Sequence, residues 1–383
     1  MSGPAPLGVY IHWPYCARIC PYCDFNVVRD RGRRAEQAAL VEAIAADMTA
    51  QAAMLGPRRL VSIFLGGGTP SLMEPDDAGR LIALARRLWG EDGPLEVTLE
   101  ANPTDAEAGR FAAFAAAGVN RLSLGVQALD DAALAFLGRN HDAEAGRRAA
   151  QAGAKAFPRL SLDLIYALPG QSAAAWEQTL LQAEGLGAEH ISPYQLTIEA
   201  GTAFDRAVRR GRFSATDPDT GALLYETTQA VLERLGFEAY EVSNHARGPA
   251  ARSRHNLVYW RGEDYLGLGP GAHGRLTLAQ GRIATEAEPR IASYISGLRE
   301  AGGAWREREA LSPSAEAEER LLMGLRTVEG VAWESLAPLG ISRHCQRVRT
   351  FEAAGLIEAG SDALRATASG RMVLDRLTAD LAH

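Results

Sequence analysis

Between residues 7 and 210, six short apolar runs alternate with six stretches of helical periodicity. No other feature of this 383-residue chain limits its fold so strongly. The runs are Leu7–His12, Leu60–Leu65, Leu95–Glu100, Arg121–Gly125, Leu160–Tyr166 and His190–Leu196. Rich in Ile, Val and Leu, they read as buried parallel strands, apolar on both faces. The helical stretches are Arg34–Leu55, Pro75–Trp89, Asp105–Ala117, Ala143–Ala154, Ala173–Leu186 and Thr202–Arg210. Gly or Pro punctuates several of their ends, and Asp105 is a candidate N-cap. Such alternation gives a parallel α/β sheet with right-handed crossovers. Six units are too few for a closed (β/α)8 barrel, and no G-x-G-x-x-G follows the first strand. An open six-unit barrel is expected.

Each unusual polar or glycine cluster falls on or just after the C-terminal part of a strand. Cys16, Cys20 and Cys23 follow the first, Gly66-Gly67-Gly68-Thr69-Pro70-Ser71 the second, and Glu100-Ala101-Asn102-Pro103 closes the third. Gly125-Val126-Gln127 ends the fourth, Asp163 lies in the fifth before Gly170-Gln171, and Ser192-Pro193-Tyr194-Gln195 lies on the sixth. In barrel-like α/β folds ligands bind on this rim, where the loops converge. The cysteines are spaced CxxxCxxC. Three thiolates on one tight loop can hold three irons of a [4Fe–4S] cube and leave the fourth iron open. A structural zinc site wants four ligands, usually as two pairs, and no second CxxC or HxxxH is present. A disulfide framework wants an even count and a secreted context.

Tyr10-Ile-His-Trp-Pro-Tyr-Cys16 followed by this spacing resembles the start of the radical S-adenosylmethionine (SAM) superfamily. The branch it resembles holds the oxygen-independent coproporphyrinogen oxidases and the HemW-type haem chaperones. The resemblance implies that SAM chelates the open iron and that one electron from the cluster can split it into methionine and a 5′-deoxyadenosyl radical. It also implies a SAM site at Tyr10, Tyr22, Asp24, Gly66, Gly67, Gly68, Glu100, Gln127, Arg139, Asp163 and Gln195. In that site the glycine backbone would take the methionine amino group, Arg139 the carboxylate and the tyrosines the adenine. Without the resemblance the glycine run alone reads sooner as a tight turn before a helix, and the polar residues equally as caps or core hydrogen-bonders.

Beyond residue 215 the alternation stops. Pro218–Leu235 reads as a helix and Phe237–Val242 as a strand. His255-Asn256-x-x-Tyr259-Trp260 then resembles the HNxxYW motif of the haem chaperones, which implies haem binding by His255, Asn256, Tyr259 and Trp260. An imidazole can ligate haem iron, aromatics pack on porphyrin, and Arg247, Arg252, Arg254 and Arg261 are at hand for propionates. A loop histidine that bridges strands is the plainer reading of His255. His273 and His245 are further imidazoles. Two departures from the oxidases point to the chaperone side: Phe25 stands where they carry a fourth cysteine, and their N-terminal extension before the first cysteine is missing here.

From about residue 306, Glu316–Leu325, Ser342–Ala354, Leu356–Glu358, Ala363–Thr367 and Ser369–Leu381 follow as helix, helix, strand, strand, helix, a winged-helix-like order. The expected whole is a partial (β/α)6 radical-SAM barrel over 1–215, an α+β extension over 216–305, and a small winged-helix-like C-terminal domain over 306–383. A role in DNA binding is disfavoured, since residues 310–383 hold eight Arg against ten Asp and Glu. The whole chain has net charge −7, which points away from nucleic acid altogether. Arg29, Arg31, Arg33 and Arg34 read first as a solvated helix start, with a docking site for an electron donor as the second reading, and Cys345 as a small buried hydrophobe. Met1–Leu7 lacks a secretory pattern, and no run of about 18 apolar residues suggests a membrane span. Few, clustered cysteines suit the reducing cytoplasm. The expected function is a haem chaperone carrying a [4Fe–4S] cluster, SAM and haem, as monomer or dimer, with a haem-accepting protein and an electron donor as partners. The alternative is an anaerobic coproporphyrinogen III dehydrogenase, and a radical-SAM methyltransferase or haem-opening enzyme ranks third.

Overall fold

A computed structural model describes residues 4–90, 93–301 and 303–383. The reading of Met1–Leu7 therefore lies partly outside the described residues, as does the side chain of Asp105. The six expected strands form: β1 Pro6–Trp13, β2 Arg59–Gly67, β3 Glu96–Ala101, β4 Arg121–Gln127, β5 Arg159–Tyr166 and β6 His190–Gln195. They pair in parallel in sequence order.

Their faces differ from the expectation. Val9, Ile11, Ile63, Leu65, Val97, Leu99, Leu122, Leu124, Leu162 and Leu164 point one way, into a core completed by helices such as Arg34–Leu55 and Pro75–Trp89. The alternate residues, Ser62, Thr98, Ser123, Ser161 and Ser192, are buried and polar. Strand alternation sends these to the inner face, so the lumen is lined with hydrogen-bonding groups. Ser161 meets His190 Nδ1 at 2.8 Å, and Ser192 donates to Asn244 Oδ1 at 2.8 Å. Serines hidden among leucines made the strands look apolar throughout.

The region 216–305 is no separate layer. β7 Glu238–Glu241 and β8 Asn244–Ala246 extend the sheet antiparallel beyond β6. β9 Asp264–Leu268 pairs in parallel with the free edge of β1. β10 His273–Leu278, β11 Gly281–Ala287 and β12 Trp305–Ala310 continue from it antiparallel. The result is an open, mixed twelve-stranded sheet in the order β12-β11-β10-β9-β1-β2-β3-β4-β5-β6-β8-β7.

Between the two edges the chain passes as the helix Arg254–Trp260, capped by Ser253, whose Oγ accepts from Asn256 N at 3.3 Å. The backbone N–H groups of Arg254 and His255 donate to the Glu96 carboxylate at 3.1 and 3.0 Å. Glu96 opens β3, so this helix closes the end of the barrel opposite the ligand rim.

The expected helix Asp105–Ala117 is broken into Asp105–Ala108 and Phe111–Ala116. Gly109 is a poor helix former, and Arg110 reaches back to Ser71 O and Met73 O, both at 2.7 Å. Among the described residues one helix, Arg34–Leu55, is long and apolar enough to cross a membrane. In the fold it packs Leu40, Val41, Ile44 and Met48 into the core, and its buried Asp47 accepts from Tyr294 at 2.6 Å.

The C-terminal part has its own core of Leu321, Leu336, Val348, Leu364 and Leu381. Helices Pro313–Gly324, Gln346–Ala353 and Leu374–Ala382 surround a sheet of β13 Val331–Ala332, β14 Ile357–Ala359 and β15 Ala363–Ala366, in the order β13-β15-β14. It docks through Arg326 to the buried Glu241 at 3.3 Å and Arg261 to Glu329 at 2.6 Å.

Candidate functional site: a three-cysteine rim and a second cavity

Past β1 the chain leaves the sheet, and Tyr15-Cys16 pairs with Val28-Arg29 to close a loop holding all three cysteines. Cys16 is buried, Cys20 and Cys23 are half-buried, and all are free thiols. They line one cavity of about 380 Å³ at the C-terminal ends of the strands. Burial pushes the Cys16 thiol up to about 11 and raises Cys23 as well, so metal binding there must displace protons. Among the described residues no three Cys, His, Asp or Glu side chains converge on a single-ion site.

Arg139 stands beside the cysteines. Nη1 donates to Cys20 Sγ at 3.1 Å and to Tyr22 Oη at 3.5 Å; Nη2 donates to Gly125 O at 3.0 Å and to Asn102 Oδ1. Its Nε is buried and has no partner. Such an orphan donor in a cavity wall fits an anionic ligand.

Gly67 and Gly68 line the same cavity. Gly67 has φ +102°, a Cβ there would run into the His12 ring, and its N–H donates to Glu100 Oε2 at 3.0 Å. Gly68 N donates to Trp13 O at 2.8 Å, and a Cβ on Gly66 would lie 2.8 Å from the Tyr10 and Phe64 rings. The glycines are thus required by packing, and the N–H groups of Gly67 and Gly68 are already engaged by Glu100 and Trp13. Burial, reinforced by Asp163, raises the Glu100 carboxyl to about 8. Asp163, itself raised by burial, accepts from Ser123 Oγ at 2.9 Å.

Gln127, Gln195, Tyr22 and Asp24 also line this cavity. Gln127 sits at a register shift with φ +65°, and Gln195 Oε1 accepts from Tyr166 at 3.4 Å. Tyr10 and Gly66 are not part of it. Tyr10 bonds His12 Nδ1 at 3.0 Å and lines a second cavity instead. Sequence reasoning missed Arg121, and it named Tyr194 only as part of a rim cluster; both reach the first cavity. Arg121 opens β4 inside a run that read as apolar, and only 2% of it is exposed.

The helix Arg254–Trp260 distributes its motif three ways. His255 points inward: it is 1% exposed, meets Ser62 Oγ through Nδ1 at 2.9 Å and Tyr259 Oη through Nε2 at 2.7 Å, and stacks on Phe64. Burial lowers it to about 3, so it is a neutral ring with both nitrogens engaged. Asn256 reaches the floor of the cysteine cavity. Tyr259 and Trp260 line the second cavity, of about 610 Å³, between the β9–β11 edge and helix Pro313–Gly324. Asp24 and Phe25 line both. His245 is buried, lowered to about 4 by burial and held by Gln229 at 3.3 Å. His273 is exposed in the second cavity. Of the arginines, Arg247 and Arg261 pair with Glu184 and Glu329, and Arg254 donates to Pro94 O. Cys345 is half-buried and opens helix Gln346–Ala353, where backbone N–H groups lower its thiol against a raising burial effect.

An open parallel barrel with a three-cysteine rim defines a protein of the radical SAM type. The radical SAM superfamily model matches residues 10–183, and that of the HemN C-terminal domain residues 311–373. The chain is 39% identical over 403 residues to the mitochondrial radical S-adenosyl methionine domain-containing protein 1 of Bos taurus, covering 99% of this chain and 89% of that protein. It is 36% identical to the heme chaperone HemW of Mycobacterium tuberculosis, covering 98% and 95%, and 34% identical to that of Bacillus subtilis, covering 86% and 85%. The solved coproporphyrinogen III oxidase (HemN) of Escherichia coli superposes with a TM-score of 0.80 at 20% identity, covering 99% and 90%, and so shares the fold. The chain belongs to the HemN-like branch of the radical SAM superfamily, alongside the HemW proteins.

Proposed function

We propose that this protein is a haem chaperone of the radical SAM type, which carries haem to recipient haem proteins. The observation that carries the reading is similarity to HemW heme chaperones along nearly the whole chain, 36% over 98% of it. Phe25 in place of a fourth cysteine accords with it.

Cys16, Cys20 and Cys23 would hold a [4Fe–4S] cluster, with Arg139 beside Cys20 balancing its charge. SAM would lie in the cavity beside it. The Arg139 guanidinium would take its carboxylate, the Gly67 and Gly68 carbonyls its amino group, and Glu100, Gln127, Asp163 and Gln195 its ribose and polar edges. Tyr22 and Asp24 would close the site from the cysteine loop, with Tyr10 and Gly66 supporting the glycine turn from behind. When reduced, such a cluster supplies one electron to the sulfonium. The HNxxYW segment would serve haem through Tyr259 and Trp260. A haem-accepting protein and an electron donor are the partners proposed, and the cytoplasm the compartment.

The test is anaerobic reconstitution followed by two assays. Iron, sulfide and a Soret band on haem addition are expected, with no turnover of coproporphyrinogen III in the presence of SAM and reductant. Catalytic decarboxylation would replace the chaperone by the dehydrogenase. Uptake of zinc without iron or sulfide would remove the cluster. Serine at Cys16, Cys20 or Cys23 is expected to abolish the cluster's visible absorption.

A further inference from the structure

We propose that the iron-porphyrin seat is the second cavity, between the β9–β11 edge and helix Pro313–Gly324, with His273 as the iron ligand. This rests on the haem-carrying reading above and fixes where that ligand sits.

Ligation of iron needs an imidazole nitrogen with a free lone pair. Three histidines lie at or near this cavity. His255 has both ring nitrogens engaged, by Ser62 and Tyr259. His12, which also lines the cavity, has its ring nitrogens on Tyr10 Oη at 3.0 Å and Asn26 O at 2.8 Å. Both are buried. His273, the first residue of β10, is exposed, and no hydrogen bond to its ring is found among the described residues. It is the imidazole that can reach iron without breaking the core.

The walls fit a flat apolar ring. The cavity, about 610 Å³, is in the range of cofactor pockets, which are apolar with a few placed polar groups. Phe25, Tyr259, Trp260, Tyr265 and Met323 line it. Phe25 is 61% exposed, an aromatic face left uncovered that a macrocycle would shield. Donors for carboxylate side groups are present too. The indole N–H of Trp260 is buried without a partner, and Arg275 and Arg320 on the cavity wall are shared with Glu319 and Glu316 at 2.7 and 2.8 Å. Because Phe25 also lines the cysteine cavity, the seat and the cluster site share a wall.

The test is titration of the full, cluster-reconstituted chain with haemin, read by the Soret band. His273→Ala is expected to shift the band and weaken binding by more than the roughly 10–100-fold that losing a supporting contact costs. Added free imidazole should restore the wild-type spectrum of that variant. Met323→Arg, which puts a charged chain into the cavity, is expected to abolish the band while the cluster absorption persists. Wild-type spectrum and affinity in His273→Ala, or in Met323→Arg, would overturn the seat while leaving haem carriage intact. A wild-type chain with no Soret band at all would remove the haem-carrying reading itself, and the seat with it.

Discussion

Gln127 holds a backbone conformation that residues with a Cβ avoid, φ +65° at the end of β4. Such strain costs about 1–3 kcal/mol and persists where the surroundings impose it. Gln127→Gly is therefore expected to leave stability unchanged or raise it by about 1 kcal/mol, while SAM binding measured by calorimetry weakens. Stronger binding in the variant would remove Gln127 from the site. Glu100 offers a pH test. Its folded value, about 8, lies above the ordinary 4.5, so the stability it contributes is whole below pH 4.5 and is lost as pH rises through about 8. Asp163 and Arg121 are the charged groups acting on it. Melting curves of the ligand-free protein should show wild type losing stability between about pH 4.5 and 8 and levelling off above, with Glu100→Gln flatter across that window. Parallel profiles would refute the assignment. At this scale the cysteines were legible because their chemistry is written in local spacing. The direction of His255 was not: a ring aimed at solvent and one aimed at Ser62 of a distant strand have the same neighbours in sequence.

The helix Arg254–Trp260 is seven residues long, too short to stand alone. It is held at its start by Glu96, which is paired with Arg159 at 2.6 Å and only 1% exposed in its side chain. Burial pushes that carboxyl up, but Arg121, Arg159 and the two helix N–H groups outweigh it and keep it charged. Removing one partner of a buried pair costs about 3–5 kcal/mol. Glu96→Ala is expected to lose that much in urea unfolding and to speed amide exchange at residues 254 and 255 more than in β3. Protection unchanged at those two amides would show that the helix is held by other contacts. The sequence placed all six central strands, since alternation of strand and helix is a strong local pattern. It could not reveal that residues 238–246 and 264–310 flank opposite edges of one sheet, because strand partners so far apart leave no local trace.

The C-terminal unit has a core of its own but leans on the barrel through Glu241, buried and facing Arg326. One calorimetric transition is expected for wild type. Glu241→Ala, which leaves Arg326 without that partner, should split off a lower-temperature transition for residues beyond 310. A single transition in the variant would mean that the other contacts at this boundary suffice. The winged-helix-like order was readable from helix and strand periodicity, whereas the cavity it forms with the sheet edge was not.

The place of β1 in the strand order has a further consequence. It is made first, yet one of its two neighbours, Asp264–Leu268, leaves the ribosome only after most of the chain. At about ten residues per second the delay is roughly half a minute. Through that interval a nascent chain exposes a row of unmet backbone donors and acceptors, the kind of template that recruits other strands. Shortened versions ending near residue 215 would carry that hazard permanently.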